Sequence, residues 1–243
     1  SRYFTYKQEI QRPCLCVRLC YILIYMSIRK ISFAVGEYYH LYNRGNSKQK
    51  IFLDKRDYGH FLKLLYICNS ENSFVLRNIT ENIFDFNRNN TLVYIGAFCL
   101  MPNHFHFLVK EKEEGGITKF MQKFSTAYVM YINTKYKRTG SLFEGKFKSQ
   151  YLNTDKYLKY IFSYIHLNPL KLIDKNWRTN IVKDNYKLEK YLSTYKYSSY
   201  GEYIEKNKIQ SKILHKQVFP NYFSNGNEFK NEIKGWICFS KNT

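Results

Sequence analysis

Leu92-Val93-Tyr94-Ile95-Gly96-Ala97-Phe98-Cys99-Leu100-Met101 is a continuous apolar run of strand length. Pro102-Asn103 interrupts it, and His104-Phe105-His106-Phe107-Leu108-Val109 resumes an extended pattern. Two such runs across a two-residue turn predict an antiparallel pair of strands. Strand side chains alternate between faces, so His104 and His106 point one way and Phe105 and Phe107 the other. Imidazoles two residues apart on one face can share a metal ion. The same spacing also suits two hydrogen-bonded structural histidines, and His-x-His alone does not choose between them. Cys99 could face across the hairpin and make the pair a zinc site, although a fourth ligand of the usual zinc type is lacking.

Outward from the hairpin, Tyr38 to Asn43 alternates as a strand should, and Gly45-Asn46 closes it with turn chemistry. Asp54 precedes Phe61, Leu62, Leu64, Leu65 and Ile67, a helical stripe with an acidic start. The Asn- and Ser-rich stretch 69–90 reads as a long connection with a short helix through Ile79 and Phe84. After Gly115-Gly116, the residues Ile117, Phe120, Met121, Phe124, Tyr128, Tyr131 and Ile132 recur at helical spacing. Gly140 stops that helix among Lys135, Lys137 and Arg138, charges that suit a helix C-terminus. Leu142 to Leu152 reads as a basic strand. Asn153 or Thr154 caps a helix running through Tyr157, Leu158, Ile161 and Ile165 to Asn168, where Pro169 ends it.

The order is therefore β-α-β-β-α-β followed by a helix, an α+β chain. One antiparallel sheet with helices on one face is its simplest packing. Residues 1–25 read as an extension outside the core, 26–175 as the working domain, and 176–243 as a basic, peripheral helical appendage.

Composition narrows the function. The 243 residues carry 39 Lys+Arg against 19 Asp+Glu, a net charge of +20, with 44% hydrophobic and 19% aromatic residues. That much apolar surface excludes a wholly disordered basic tail, and four Pro with eleven Gly exclude collagen-like sequence. A charge of this size favours a polyanionic partner, because each neutralised phosphate releases counterions. Interleaved Tyr and Phe favour single strands, whose unstacked bases can lie on the rings. Biased codon usage would also enrich Lys and Tyr. The six cysteines lack the spacing of a disulfide framework, as expected of a reduced cytosolic protein. Cys14, Cys16 and Cys20 cluster without a second ligand pair. The apolar run from Leu15 to Met26 is interrupted by Arg18 and falls short of the roughly 20 residues a bilayer span needs.

A second segment bears chemistry: Tyr160-Ile161-Phe162-Ser163-Tyr164-Ile165-His166-Leu167-Asn168-Pro169. Tyr164 and Asn168 are four apart on a helix and share a face. Asn168 could offer its carbonyl oxygen to a metal with the Tyr164 phenol beside it, while Ile161 and Ile165 hold the helix to the sheet. With 24 tyrosines in the chain, any one of them is more commonly packing than nucleophile. His166 points off the Tyr164 face and reads as packing or a DNA contact.

The joint pattern of Pro102-Asn103-His104-Phe105-His106 and Tyr164-Ile165-His166-Leu167-Asn168-Pro169 resembles the REP-associated tyrosine transposases. These belong to the HUH superfamily of single-strand DNA nucleases and are similar to small insertion-sequence transposases with one catalytic tyrosine. Tyr39-His40-Leu41-Tyr42-Asn43-Arg44-Gly45-Asn46, Asp57-Tyr58 and Gly140 to Ser149 extend the resemblance. Tyr197-Ser198-Ser199-Tyr200 stands where the family often has Trp-Ser-Ser-Tyr. The likeness spans about residues 33–203; the N-terminal extension, the 69–90 insertion and Tyr197 are the departures.

The resemblance implies a ferredoxin-like core, with His104 and His106 as metal ligands, Asn168 at the position of a polar third ligand, and Tyr164 as the nucleophile. It implies Mg²⁺ or Mn²⁺ as cofactor. The expected reaction is cleavage and rejoining of single-stranded, hairpin-bearing DNA through a 5′-phosphotyrosine. A catalytically silent hairpin-binding regulator on the same fold is the alternative, and a zinc-stabilised RNA-binding module using Cys99, His104 and His106 is a third reading. Arg44, Lys146 and Lys148 are the candidates for DNA-backbone contact. The expected setting is the cytoplasm at the nucleoid, without a membrane partner and with a homodimer allowed.

Overall fold

The computed structural model describes residues 32–177, 185–205 and 209–239. The expected extension 1–25, with Cys14, Cys16 and Cys20, lies outside the described residues.

Four strands form one antiparallel sheet: β1 (Tyr38–Arg44), β2 (Val93–Met101), β3 (His104–Glu111) and β4 (Lys148–Tyr151), in the order β2-β3-β1-β4. The hairpin read from the sequence is β2 and β3, with Met101 paired to His104 across the Pro102-Asn103 turn. A bulge at Gly96 shifts the register between Ile95 and Ala97. A Cβ at Gly96 would come within 2.6 Å of the Phe219 ring, so only glycine allows that approach.

The first helix, α1 (Lys55–Ile67), starts where Asp54 caps it, and Asp57 completes a capping box. The second, α2 (Gly116–Lys135), returns to the same place. The fully buried Asp57 carboxylate accepts from Lys135 Nζ (2.6 Å), Tyr131 Oη (3.1 Å), Tyr136 Oη (2.9 Å) and the backbone N–H of Leu53 (2.7 Å). It staples the start of α1 to the end of α2. Under both helices lies a Phe-rich core in which Phe61, Phe105, Phe107 and Phe124 are wholly buried.

The helix through Tyr164, α3 (Asp155–Leu167), is capped by Thr154. It lies on the opposite face of the sheet, where Leu158, Ile161 and Ile165 meet Ala97, Cys99, Met101 and Leu108 in a second core. This corrects the expectation of helices on one face. The run 92–101 is apolar throughout because both of its faces are covered. The later helices α4 (Asn185–Thr194), α5 (Tyr200–Ile204) and α6 (Gly226–Phe239) add Leu188, Leu192, Tyr200, Phe229 and Ile233 to that second core. The segment between α4 and α5 also runs along the outer edge of β2. Leu100 N donates to Tyr197 O (2.8 Å) and Ser199 N to Phe98 O (2.9 Å), satisfying an edge that would otherwise be open.

Three local expectations change. The basic strand expected over Leu142 to Leu152 is regular only over Lys148–Tyr151, with Phe143 making an isolated bridge to Gly45. Gly140 (φ +83°) and Gly145 (φ +124°) turn the preceding residues into a loop over the end of β1. The 69–90 connection carries two single turns of 3-10 helix, Leu76–Asn78 and Ile83–Asp85. Pro169 ends the α-helix, but the chain continues as a 3-10 turn over Asn168–Leu172, where a missing N–H costs nothing. Among the described residues, no helix is long and apolar enough to cross a membrane.

Candidate active site

Sheet register assembles the site. Tyr42 lies opposite His106 on one side and Lys148 on the other, Arg44 lies opposite His104, and His40 precedes Tyr42 by one alternation. Residues directly opposite share a face. His40, Tyr42, Arg44, His104, His106 and Lys148 therefore stand on one side of the sheet, toward α3. Tyr164 descends from that helix onto the histidines. Its ring centroid is 5.5 Å from that of His106 and 6.0 Å from that of His40, nearly perpendicular to each. A cavity of about 330 Å³ opens between them, lined by His104, His106, Tyr164, Arg44, Lys148 and Glu144 among others. A larger hollow of about 610 Å³ lies along α6 against Tyr222 and Trp236, with neither histidine nor cation in its lining. Chemistry, not volume, marks the site.

The imidazoles are neutral and oriented. Burial lowers the pKa of His40 to about 4, and burial with the nearby Lys171 and Arg44 cations lowers that of His104 to about 4. His106 is pushed well below the ordinary histidine value, first by burial and then by its cationic and imidazole neighbours. His104 Nδ1 meets Asn103 Oδ1 at 2.7 Å, and Asn103 Nδ2 donates to Lys48 O at 3.2 Å. His106 Nδ1 meets His40 Nε2 at 2.9 Å. His106 Nε2 is buried without a partner. Such an orphaned nitrogen is rare in a settled interior and is what a metal-ligating imidazole offers.

The other expected site residues divide. Asn168 is buried one turn beyond Tyr164, and its Nδ2 donates to Tyr164 O (2.9 Å). Its Oδ1, the atom expected to meet a metal, accepts from Lys171 Nζ at 2.8 Å, and that ammonium lies 3.4 Å from the Tyr164 oxygen. Arg44 reaches the cavity but is paired with Glu144 in a two-pronged contact. Lys148 lines the cavity, whereas Lys146 lies exposed on the loop before β4 and outside the lining.

One reading is narrowed and another is overturned. His166 is fully buried, with Nδ1 donating to Phe162 O (2.9 Å) and Nε2 against Ser199 Oγ (2.8 Å). It is packing, not a DNA contact. Among the described residues, no three or more His, Cys, Asp or Glu gather as a metal-holding group. Cys99 shares the His106 face but is sealed in the second core, where burial pushes its thiol pKa far up. The zinc reading with Cys99 fails because, among the described residues, Cys99, His104 and His106 do not gather as a metal-holding group. Cys99 and Cys68 are both free and buried.

Sequence reasoning missed His40, Glu144 and Lys171. His40 lay inside a quoted motif, and its alternation with Tyr42 and Arg44 was a signal. Only the pairing of β1 with β3 makes that signal usable.

An antiparallel α+β sheet carrying two imidazoles and a facing tyrosine defines the class of molecule. The family model described as "Transposase IS200 like" matches residues 36–168, which contain every element of the site except Lys171. The chain belongs to the IS200-like transposase family, whose membership implies a DNA transposase or endonuclease. Among solved structures it is similar to a REP-associated tyrosine transposase bound to a REP hairpin. The identity is 14% and the TM-score 0.43, over 76% of this chain and 90% of that one. A search of curated proteins finds no match.

Proposed function

We propose that the protein is a metal-dependent endonuclease and strand transferase acting on single-stranded, hairpin-bearing DNA, with Tyr164 as its nucleophile. The observation that carries this reading is the Tyr164 ring standing over His106 within one chain and one cavity. Strand order and β-α-β-β-α-β connectivity support reading the core as ferredoxin-like.

The donor set suits a hard divalent ion such as Mg²⁺ or Mn²⁺. His104 and His106 would hold it through Nε2, and Asn168 would join through Oδ1 once that atom parts from the Lys171 ammonium. The ion would supply positive charge to the non-bridging oxygens of the scissile phosphate. Arg44, Lys146 and Lys148 are proposed to hold neighbouring phosphates, positioning the strand without reading its sequence.

Tyr164 loses its phenolic proton as its oxygen attacks phosphorus in line. The bond from phosphorus to the 3′-oxygen breaks, and that oxygen takes up a proton. The products are a 5′-phosphotyrosine and a free 3′-hydroxyl. One phosphoester replaces another, so the same hydroxyl or a new one can reverse the step without ATP. Because the tyrosine and histidines face each other in one chain, the step needs no residue from a second copy.

The test is covalent trapping on labelled single-stranded stem-loop oligonucleotides with Mg²⁺ or Mn²⁺. A denaturation-resistant protein–DNA band is expected, absent with EDTA and absent in Tyr164→Phe. An adduct that survives Tyr164→Phe would reject the nucleophile, and one that survives EDTA would reject the metal. Tight hairpin binding with no adduct under any condition would establish the silent regulator instead.

A further inference from the structure

The two candidate ligand histidines are held by different partners. For His104 the chemistry is settled by the neighbour: Asn103 Nδ2 donates to Lys48 O, so Asn103 presents its oxygen, which can only accept. His104 must therefore carry its proton on Nδ1 and leave Nε2 as a lone pair. His106 has no such one-way partner. Its Nδ1 faces another imidazole, His40 Nε2, at 2.9 Å, and either ring could donate.

The surroundings break the tie. If His40 donated, His106 would carry its proton on Nε2, a buried donor without a partner. If His106 donates through Nδ1, its Nε2 is instead an unprotonated lone pair on a ring lining the cavity. A stranded N–H is the costlier of the two. The rings of His40 and His106 are nearly parallel, 24° apart with centroids at 5.0 Å, and both are buried, so neither can swing to another partner. His40 lies on β1 and His106 on β3, joined by direct strand pairing, which makes the contact a property of the sheet.

We propose that His40 is a positioning residue: by accepting from His106 Nδ1 it holds His106 in the tautomer whose Nε2 can bind a divalent cation. Together with Asn103 it prepares both imidazoles for the same ion before the ion arrives. His40 itself is not a ligand, since its Nε2 is spent on His106. The inference rests on the metal reading above for its purpose, but not for the tautomer itself.

The experiment uses the full chain labelled with ¹⁵N-histidine. Long-range ¹H–¹⁵N spectra of metal-free protein report the His106 tautomer, and Mn²⁺ binding is followed by electron paramagnetic resonance. In the unaltered protein His106 is expected as the Nδ1–H form. His40→Leu, which cannot accept, should show mixed tautomers and bind Mn²⁺ about 10- to 100-fold more weakly. His40→Gln, which can accept through its amide oxygen, should restore both readouts and keeps the test open if His40→Leu does not fold. An Nε2–H form in the unaltered protein, or an unchanged tautomer and affinity in His40→Leu, would overturn the proposal. If the unaltered protein binds no Mn²⁺ while His40→Leu still loses the tautomer, the metal reading falls and the positioning role of His40 stands.

Discussion

The two faces of one sheet are built on opposite terms. Toward α1 and α2, strand positions carry Phe105, Phe107, Phe98 and Leu100 beside two buried carboxyl groups: Asp57, which several donors satisfy, and Glu111, which accepts from the Ile117 backbone N–H. Toward α3, the same strands carry His104, His106, His40 and Tyr42, and a buried nitrogen is left without a partner. Alternation along β3 switches between these surfaces every residue. The difference is one of chemistry: the Phe face packs the sheet against its helices, while the other face gathers imidazoles and a tyrosine around one cavity.

Exchanging adjacent residues of β3 is the sharpest way to break that contrast. His106→Ala should reduce covalent adduct by on the order of 100-fold or more while the thermal transition moves little. Phe107→Ala should cost about 3–5 kcal/mol of stability by leaving a cavity. Adduct formed per folded molecule should persist in that variant, as measured by denaturant titration beside trapping. If both substitutions cut activity and stability alike, the division between faces is wrong.

Asp57→Ala tests the staple. It leaves Lys135, Tyr131 and Tyr136 without their shared acceptor and should cost about 3 kcal/mol, read in urea titration, with no change in adduct per folded molecule. Burial raises the Asp57 pKa, but the bonds from Lys135, the Leu53 and Asp54 amides and Tyr136 outweigh it and hold it below the ordinary value. A depressed carboxyl stabilises the fold above its unfolded pKa, about 3.9, and loses that contribution as pH falls through the folded value. Asp57→Asn should accordingly flatten the loss of stability on acidification below about pH 4.

The smallest expected effect is at the cavity rim. Glu144→Gln releases Arg44 from its carboxylate partner. Single-strand affinity should rise by less than about tenfold at low salt, and the dependence of log affinity on log salt should steepen by roughly one unit. Arg44→Ala should make that dependence shallower by a similar amount.

Much of the fold was legible because it is written locally. The hairpin, the Asp54 and Thr154 caps and the facing of His104 with His106 follow from alternation and short-range hydrogen bonding. The motif Tyr197-Ser198-Ser199-Tyr200 was legible as a string but not as a device. Only the structure shows Ser199 holding both the Phe98 backbone and His166.

By itself the sequence determined the element order, the two imidazoles on one strand face and the tyrosine one turn before an asparagine. These depend on periods of two and 3.6 residues, which any chain segment carries within itself. Tertiary structure alone decided that helices cover both faces, that His40 meets His106 across 66 residues, that Lys171 claims the Asn168 oxygen and that Cys99 is sealed away. Those outcomes depend on which strand pairs with which and on what burial does to each polar atom. Neither quantity exists until the chain has closed on itself.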